Sequence, residues 1–460
     1  MDDAPRLQGS IGYFQYLALG FGTIIGSAWV ILLGDWLGKA GPGGSVLGFL
    51  CGGVVVMAIG VCYAELTARL PEAGSEFIYA HRVYGRNLAF TVGWFLVLYL
   101  ISVTIFEALA LAWIVEIFVP DWKSAMLYSA FGSAISAETL VVGISGAVII
   151  FALNYCGARV AVISHSILTY GFIVVVLAIL LTLLVNGHTG HLTPLFATTN
   201  GKPWWLGSGA IFAFCAYALN GFQAIPQAVE ERSAGTSLRA IGFVIIGSIA
   251  AAALFYCLVV IAASTVTPWR SLVVAPLPMA AAAAALPHGA AIATVLLLAT
   301  AVSLFKAWNG VFMMAARLLV AMARAGYVPA AFARLHPRFR SPAMALILIG
   351  ALNVGGIFFG KGAIEPITDM CAMVLTLTYV MCCATVLRLR RRGEAELFPV
   401  PGGAALAWLG AIGATLMAVV AFISPFWEQP GVPLEWRLLG GWALVGMLVW
   451  YLRVRNARLT

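Results

Sequence analysis

Apolar runs long enough to cross a lipid bilayer recur from residue 12 to residue 453, and no stretch between them is long enough to form a soluble domain. A membrane-spanning helix needs about 20 predominantly apolar residues. On that criterion the chain predicts twelve spans, near 12–37, 45–67, 88–118, 139–157, 161–185, 207–229, 237–264, 289–317, 342–359, 364–388, 403–424 and 437–453. The third and eighth are long enough to tilt strongly. Composition agrees: 62% of the residues are hydrophobic and 10% charged, where a soluble domain carries about a quarter charged residues. The fold class expected is therefore an all-α integral membrane protein whose exterior faces lipid. The first run lacks a cleavage pattern and is followed by many others, so it reads as a first span and not as a signal peptide.

The formal charge of +8 does not point to nucleic acid, because the basic residues lie in short segments between apolar runs. With the N-terminus inside, 19 of the 26 Lys and Arg residues fall on the inner side, among them Arg69, Arg82, Arg86, Arg232, Arg239, Arg317, Arg324 and Arg388. Six fall outside: Lys39, Lys123, Lys202, Arg270, Lys361 and Arg437. That asymmetry places both termini in the cytoplasm. Trp204, Trp205, Trp269 and Trp427 lie near the expected outer boundaries, and the alanine run at 280–285 reads as a short outer helix punctuated by Pro276, Pro278 and Pro287. The eight cysteines form no CxxC pattern, and His188 and His191 have no third ligand beside them, so neither disulfides nor a metal site are expected.

Two spans are interrupted. The first contains GTIIGSA (22–28), where Gly22, Gly26, Ser27 and Ala28 are crowded into seven positions. Glycine costs about 1 kcal/mol in a helix interior. The sixth contains YALNGFQAIPQ (217–227), with Asn220, Gly221 and Pro226. If spans 1–5 and 6–10 are two repeats, about 12–185 and 207–388, with extra helices at about 403–453, each break opens a repeat. Paired interruptions of this kind point to a transporter's binding site. An unwound turn in the membrane is tolerated only where it is buried or lines a cavity. The half-helix starting near Ser27 would offer N–H groups to a carboxylate, and carbonyls near Tyr217–Asn220 would accept from an ammonium. One site with both ends suits an α-amino acid. The plainer alternative is that Gly22, Gly26 and Gly221 serve close helix packing.

Two charges lie deep in the spans. Lys306 is near the middle of the eighth, where a lysine costs about 2.5–3.5 kcal/mol on insertion scales and is a functional candidate by default. Ser303, Lys306 and Gly310 share one helical stripe, with Asn309 beside it. Glu107 lies in the third span, one turn after Thr104. It could hold the amine of a cationic substrate, pair with Lys306 or relay a proton. Asp35 and Asp369 lie near span ends. Glu65, Glu230 and Glu231 lie near the inner face, where a gating or loop-anchoring role fits them.

These segments resemble the amino acid–polyamine–organocation superfamily. GTIIGSA (22–28) is similar to its first-helix signature, YAELTARLPEAGSEFIYAHRVYG (63–85) to its second-helix end and first inner loop, GFQAIPQAVEE (221–231) to its sixth-helix pattern, and RLLVAMARAGYVPAAFARLHPRFRSP (317–342) to the stretch after its eighth helix. The resemblance implies a leucine-transporter-like fold: a 5+5 inverted repeat, two C-terminal helices, and alternating access. It implies that the backbone around Gly22, Ile25, Gly26, Ser27, Ala28 and Trp29 takes a substrate carboxylate, and that Tyr217, Ala218, Asn220, Gly221 and Phe222 surround the amine, Tyr217 standing where relatives have an aromatic gate. In sodium-coupled relatives the eighth helix meets the first at a cation site, so Lys306, with Ser303 and Asn309, is the expected coupling element. Three departures stand out. Ala28 and the bulky Trp29 follow the signature, Gln223 replaces the usual acid, and Phe172 aligns with a fifth-helix lysine of proton-coupled relatives.

The expected function is secondary transport of an amino acid in a bacterial cytoplasmic (inner) membrane, coupled to protons or by exchange and independent of sodium. The alternative substrate is an amine or polyamine without a carboxylate. No cofactor is expected, the partners being the small-molecule substrate, protons and membrane lipid. An embedded enzyme is disfavoured because HExxH, GxSxG and paired intramembrane aspartates are missing from the sequence.

Overall fold

The computed structural model describes residues 11–119, 126–156, 158–198, 203–392, 403–428 and 431–455. Arg6, Lys123, Lys202 and Arg458, which entered the orientation argument, lie outside the described residues. Almost all the rest is helix. Among the described residues nine helices are long and apolar enough to cross a membrane, and two shorter apolar helices, Trp204–Ala218 and Ala343–Ile357, occupy the sixth and ninth predicted segments. The 16-residue helix Leu434–Val449 occupies the twelfth, and Pro278–Ala284 is the short helix predicted from the alanine run.

The boundaries shift where backbone geometry overrides hydropathy. The first span is Tyr13–Ile24, a break, and Ala28–Ile31. Its continuation, Leu33–Arg69, holds a single non-helical residue, Gly41 (φ 71°, ψ 174°), followed by Pro42. The expected loop between spans 1 and 2 is thus one hinge residue. Proline suits the start of the next helix, because its fixed φ is helical and the N–H it lacks would be unpaired there. Gly41 has no substitute: besides its left-handed φ, a Cβ there would sit 2.6 Å from the Ala197 backbone nitrogen. The eighth span runs on to Arg324, so Arg317, expected at the inner end of the span, is inside the helix and buried. Hydropathy missed the helix Glu76–Tyr84, the short helix Trp269–Val273 and a hairpin of Met126–Ala130 with Ser133–Ser136. Trp269, expected at an interface, is buried and donates its indole N–H to the Pro194 carbonyl at 3.0 Å.

The spans divide into interior and lipid-facing sets. The third is almost wholly buried, so polar groups on it face other helices, whereas the fifth leaves Ile167, Val174, Leu181 and Val185 exposed. On the side where the described chain starts, the bundle is drawn together by hydrogen bonds and ion pairs. Ile11 donates its N–H to Glu231, and Tyr16 donates its hydroxyl to the Ala228 carbonyl. Arg317 meets Glu231 at 2.7 Å, Arg324 meets Glu230 at 3.2 Å, and Glu65 lies between Arg69 and Arg390. The Glu230 carboxylate also accepts the Ala73 N–H, and the Gln227 side chain accepts that of Gly74. The opposite side is open to a vestibule of about 300 Å³, lined by Asp35, Lys39, Trp113, Phe214, Lys361 and Glu365.

The Arg317–Glu231 pair generates a stability prediction. Arg317→Leu strands a buried carboxylate and should cost about 3–5 kcal/mol, read as a lower melting temperature of the purified protein. Arg317→Leu/Glu231→Leu should recover most of the loss.

Candidate functional site

The helix break at Ile25–Ser27 separates backbone groups that a continuous helix would have paired. Ile25 still donates to Phe21, and Val30 and Ile31 donate to Ser27. Among the described residues, the N–H groups of Gly26, Ser27, Ala28 and Trp29 reach no acceptor. The freed carbonyls are capped from the eighth span. Ser303 Oγ lies 2.9 Å from the Ile25 carbonyl and 2.8 Å from that of Gly26. Lys306 Nζ donates to the Gly22 carbonyl at 2.8 Å and also to that of Ile25. Lys306 is completely buried, and its ammonium stands 4.5 Å from the centre of the Phe172 ring. A cation over an aromatic face gains electrostatically, more so when desolvated. The fifth-span position aligned with a lysine in relatives therefore receives an ammonium reaching across from the eighth.

Glu107 enters from the other side. Its Oε2 accepts from Ser27 Oγ at 3.1 Å, and Oε1 points so closely at Gly26 that a Cβ there would lie 2.5 Å away. The carboxylate is buried, 3% exposed, and among the described residues its hydrogen bond is to Ser27, with no ion pair to Lys306. The two charges hold neighbouring parts of one break, Lys306 at Ile25 and Glu107 at Ser27.

The sixth-span break faces the first. Helix Trp204–Ala218 ends as Leu219 donates to Cys215 and Asn220 to Tyr217. Gly221 then turns at φ +108°, and a Cβ on it would sit 2.7 Å from the Thr23 carbonyl carbon, so only glycine lets the two broken backbones touch. The Gly221 N–H is held by Gln223 Oε1 at 2.7 Å, and Gln223 Nε2 donates to the Tyr379 hydroxyl at 3.1 Å. The residue replacing the family's acid thus ties down the turn. Asn220 accepts from the Tyr99 hydroxyl and donates to the Tyr217 carbonyl.

Between the breaks is a cavity of about 30 Å³. Of the residues singled out from the sequence, Gly26, Ser27, Ala28, Glu107, Tyr217, Ala218 and Asn220 line it. Others stand behind it. Gly22 and Ile25 supply carbonyls to Lys306, Trp29 packs edge-on against Phe172 and Phe255, Gly221 seats the turn, and Phe222 packs on Tyr63 and Tyr379. Asn309 turns away from Lys306, donating to the Ala161 carbonyl at 2.9 Å and accepting from Asn154 at 2.8 Å. Sequence reasoning missed Tyr256, Phe106 and Val103 on the cavity wall. It also missed His165 and Thr169, whose side chains meet the Ala18 carbonyl beneath Gly22. The i, i+4 spacing of Val103 with Glu107, and of His165 with Thr169, was a usable signal. Tyr256 lies in an unbroken apolar run and gave none.

A multi-pass helical bundle with two broken helices face to face around a buried polar cavity has the architecture of a membrane transporter, not of an enzyme. The family model described as amino acid permease matches residues 11–448. The chain belongs to this family. It is 28% identical to the glutamate/serine transporter AimA of Bacillus subtilis over 434 residues, covering 90% of this chain and 77% of the relative. It is 25% identical to the methylthioribose transporter (98% and 95% covered) and 24% identical to the branched-chain amino acid permease BcaP (98% and 94%), both of the same organism.

Ser303→Ala removes the donor from the Gly26 carbonyl. It should destabilise the purified protein by about 1–3 kcal/mol, measured as a thermal shift, and Ser303→Thr should restore most of it.

Proposed function

We propose that the chain carries an amino acid across a bacterial cytoplasmic membrane by alternating access, driven by protons and independent of sodium. On this reading the chain crosses twelve times, with both termini inside, as two inverted five-helix repeats and two further helices. The substrate carboxylate meets the free N–H groups at 26–29, and its amine meets the carbonyl end of the sixth-span half-helix beside Tyr217 and Asn220. The relatives that transport serine, glutamate or branched-chain amino acids support the class of substrate.

One observation carries the coupling: the Lys306 ammonium caps the carbonyls of Gly22 and Ile25 at the break itself. A tethered cation there takes the role a bound sodium ion would have, and a second positive charge beside it would be strongly repelled at low dielectric. Unlike sodium, the ammonium can release a proton, and doing so removes one donor from the first-span break. Proton loss and rearrangement of the break are thereby linked. A second reading, an amine without a carboxylate, draws on the Glu107 carboxylate that faces the cavity.

Gly26→Val and Gly221→Val should insert in the membrane and lose uptake, the first by driving into Glu107, the second by forcing apart the two breaks. Wild-type uptake in either would overturn the site. In proteoliposomes, replacing sodium by choline at fixed pH and potential should leave uptake unchanged. Lys306→Ala should bind substrate but not accumulate it. Lys306→Arg should lose proton-driven accumulation as well, because guanidinium does not deprotonate in proteins. Accumulation by Lys306→Met/Glu107→Gln under a pH gradient would end the proton-carrier reading. Competition of uptake by amino acids but not by amines of equal size separates the two substrate classes.

A further inference from the structure

A second recess, of about 290 Å³, lies at the periphery of the bundle and shares no lining residue with the cavity between the breaks. It is formed where the start of the third span meets the last helix, with walls of Phe90, Thr91, Trp94, Ala443, Met447 and Trp450. Its floor is fixed by a reciprocal clamp. Trp94 donates its indole N–H to the Trp442 carbonyl and Trp442 donates its own to that of Trp94, both at 2.9 Å, with the rings stacked 4.6 Å apart. Gly446 is what lets them close, since a Cβ there would meet Trp94 Nε1 at 2.5 Å.

At one end of the recess stands Arg86, the first residue of the third-span helix, with Asn87 on the recess wall beside it. The guanidinium lies 5.4 Å from the centre of the Tyr327 ring. Among the described residues it has no carboxylate partner, and its buried Nε donates to nothing. Glu72, whose charge acts on His81 as that of Arg86 does but with the opposite sign, is engaged with Arg82 at 2.7 Å. From Arg86 an aromatic ladder runs along the recess, with Tyr327 stacked on Phe90 and Phe90 on Trp94.

We propose that this recess binds one anionic phospholipid, its phosphate on Arg86 and Asn87 and an acyl chain against Phe90, Trp94 and Met447. A recess at hydrocarbon depth is filled by acyl chain, because water there would forfeit its hydrogen bonds. The arginine at its mouth sits at the end of a span, at headgroup level, and a planar guanidinium with unused donors is matched to phosphate. On the orientation proposed above this is the cytoplasmic leaflet, where anionic lipid is concentrated.

The site also touches the end of the eighth-span helix. The Tyr327 hydroxyl meets His81 Nδ1 at 2.8 Å, and the Tyr327 N–H caps the eighth-span helix at Met322. Burial, then the charges of Arg82 and Arg86, hold the His81 imidazole below its ordinary pKa, which favours the neutral ring in its hydrogen bond with the tyrosine. A bound lipid therefore braces the end of the helix that carries Lys306.

The test is native mass spectrometry of the full-length protein titrated with phosphatidylglycerol or phosphatidylcholine of identical chains. The wild type should hold one phosphatidylglycerol with about five-fold preference, the worth of one interfacial arginine. Arg86→Gln should bind both lipids equally, and Arg86→Lys should keep most of the preference. Ala443→Trp, which fills the recess, should lower occupancy by both; Thr91→Trp fills it from the other wall should that variant fail to fold. An equal affinity of the wild type for the two lipids, or an undiminished preference in Arg86→Gln, overturns the proposal. So does a dimer that Ala443→Trp dissociates, since a second copy of the chain would then be the occupant.

Discussion

A backbone that leaves the helix inside a bilayer exposes N–H and C=O groups that no bulk water reaches, and each must find a partner within the protein or face a cavity. The organisation around the first span follows from that requirement. Its freed carbonyls at Gly22, Ile25 and Gly26 are all capped by Ser303 and Lys306 from one helix face. Its freed N–H groups at 26–29 are not capped among the described residues, and Gly26, Ser27 and Ala28 open onto the cavity. The break is therefore satisfied on its acceptor side by protein and left unsatisfied on its donor side. A backbone polarised in this way calls for an acceptor from outside, and under the proposed function the substrate supplies it.

The same requirement explains why the buried charges are separate. Lys306 has carbonyl oxygens and an aromatic face in place of a counter-ion, and Glu107 has a hydroxyl donor. Each is hydrogen-bonded to the turn and not directly to the other, so a change at either is felt by the turn. A direct Lys306–Glu107 pair would have locked two rigid spans together and left the turn out.

The bundle is closed unequally. On one side, pairs far apart in sequence join the second, sixth, eighth and tenth spans, with Glu65 to Arg390 and Glu231 to Arg317 as the most buried. On the other, charged residues line an open vestibule and include shorter-range pairs such as Asp35 with Lys39 at 3.1 Å. The cavity between the breaks is small and lies between these layers. Under the proposed function, opening that closed side would break buried ion pairs, whose charges must then be rehydrated, a barrier of the kind alternating access needs.

The sequence by itself determined that the chain is a membrane-embedded helical bundle. Apolar run length and charge depletion are one-dimensional properties, and lipid as solvent leaves helices as the structure they permit. It also determined where the first and sixth helices fail, because the clustered glycines of the first and Gly221 of the sixth act on local backbone energy, although Pro226 lies within the helix that resumes at Ala224. It named Lys306 and Glu107 as candidates, since a charge at that depth is costly wherever it points. Only the tertiary structure decided what those charges touch. Whether Glu107 bonds to Lys306 or to the first-span turn rested on helix rotation, which periodicity leaves open. Helix rotation likewise turned Asn309 toward Asn154, set Tyr256 on the cavity wall and put Phe172 beneath the Lys306 ammonium. Arg317 and Gly41 mark the same limit from another side: hydropathy sees a boundary where charge or glycine appears, while packing buries the arginine against Glu231 and reduces the loop to a hinge.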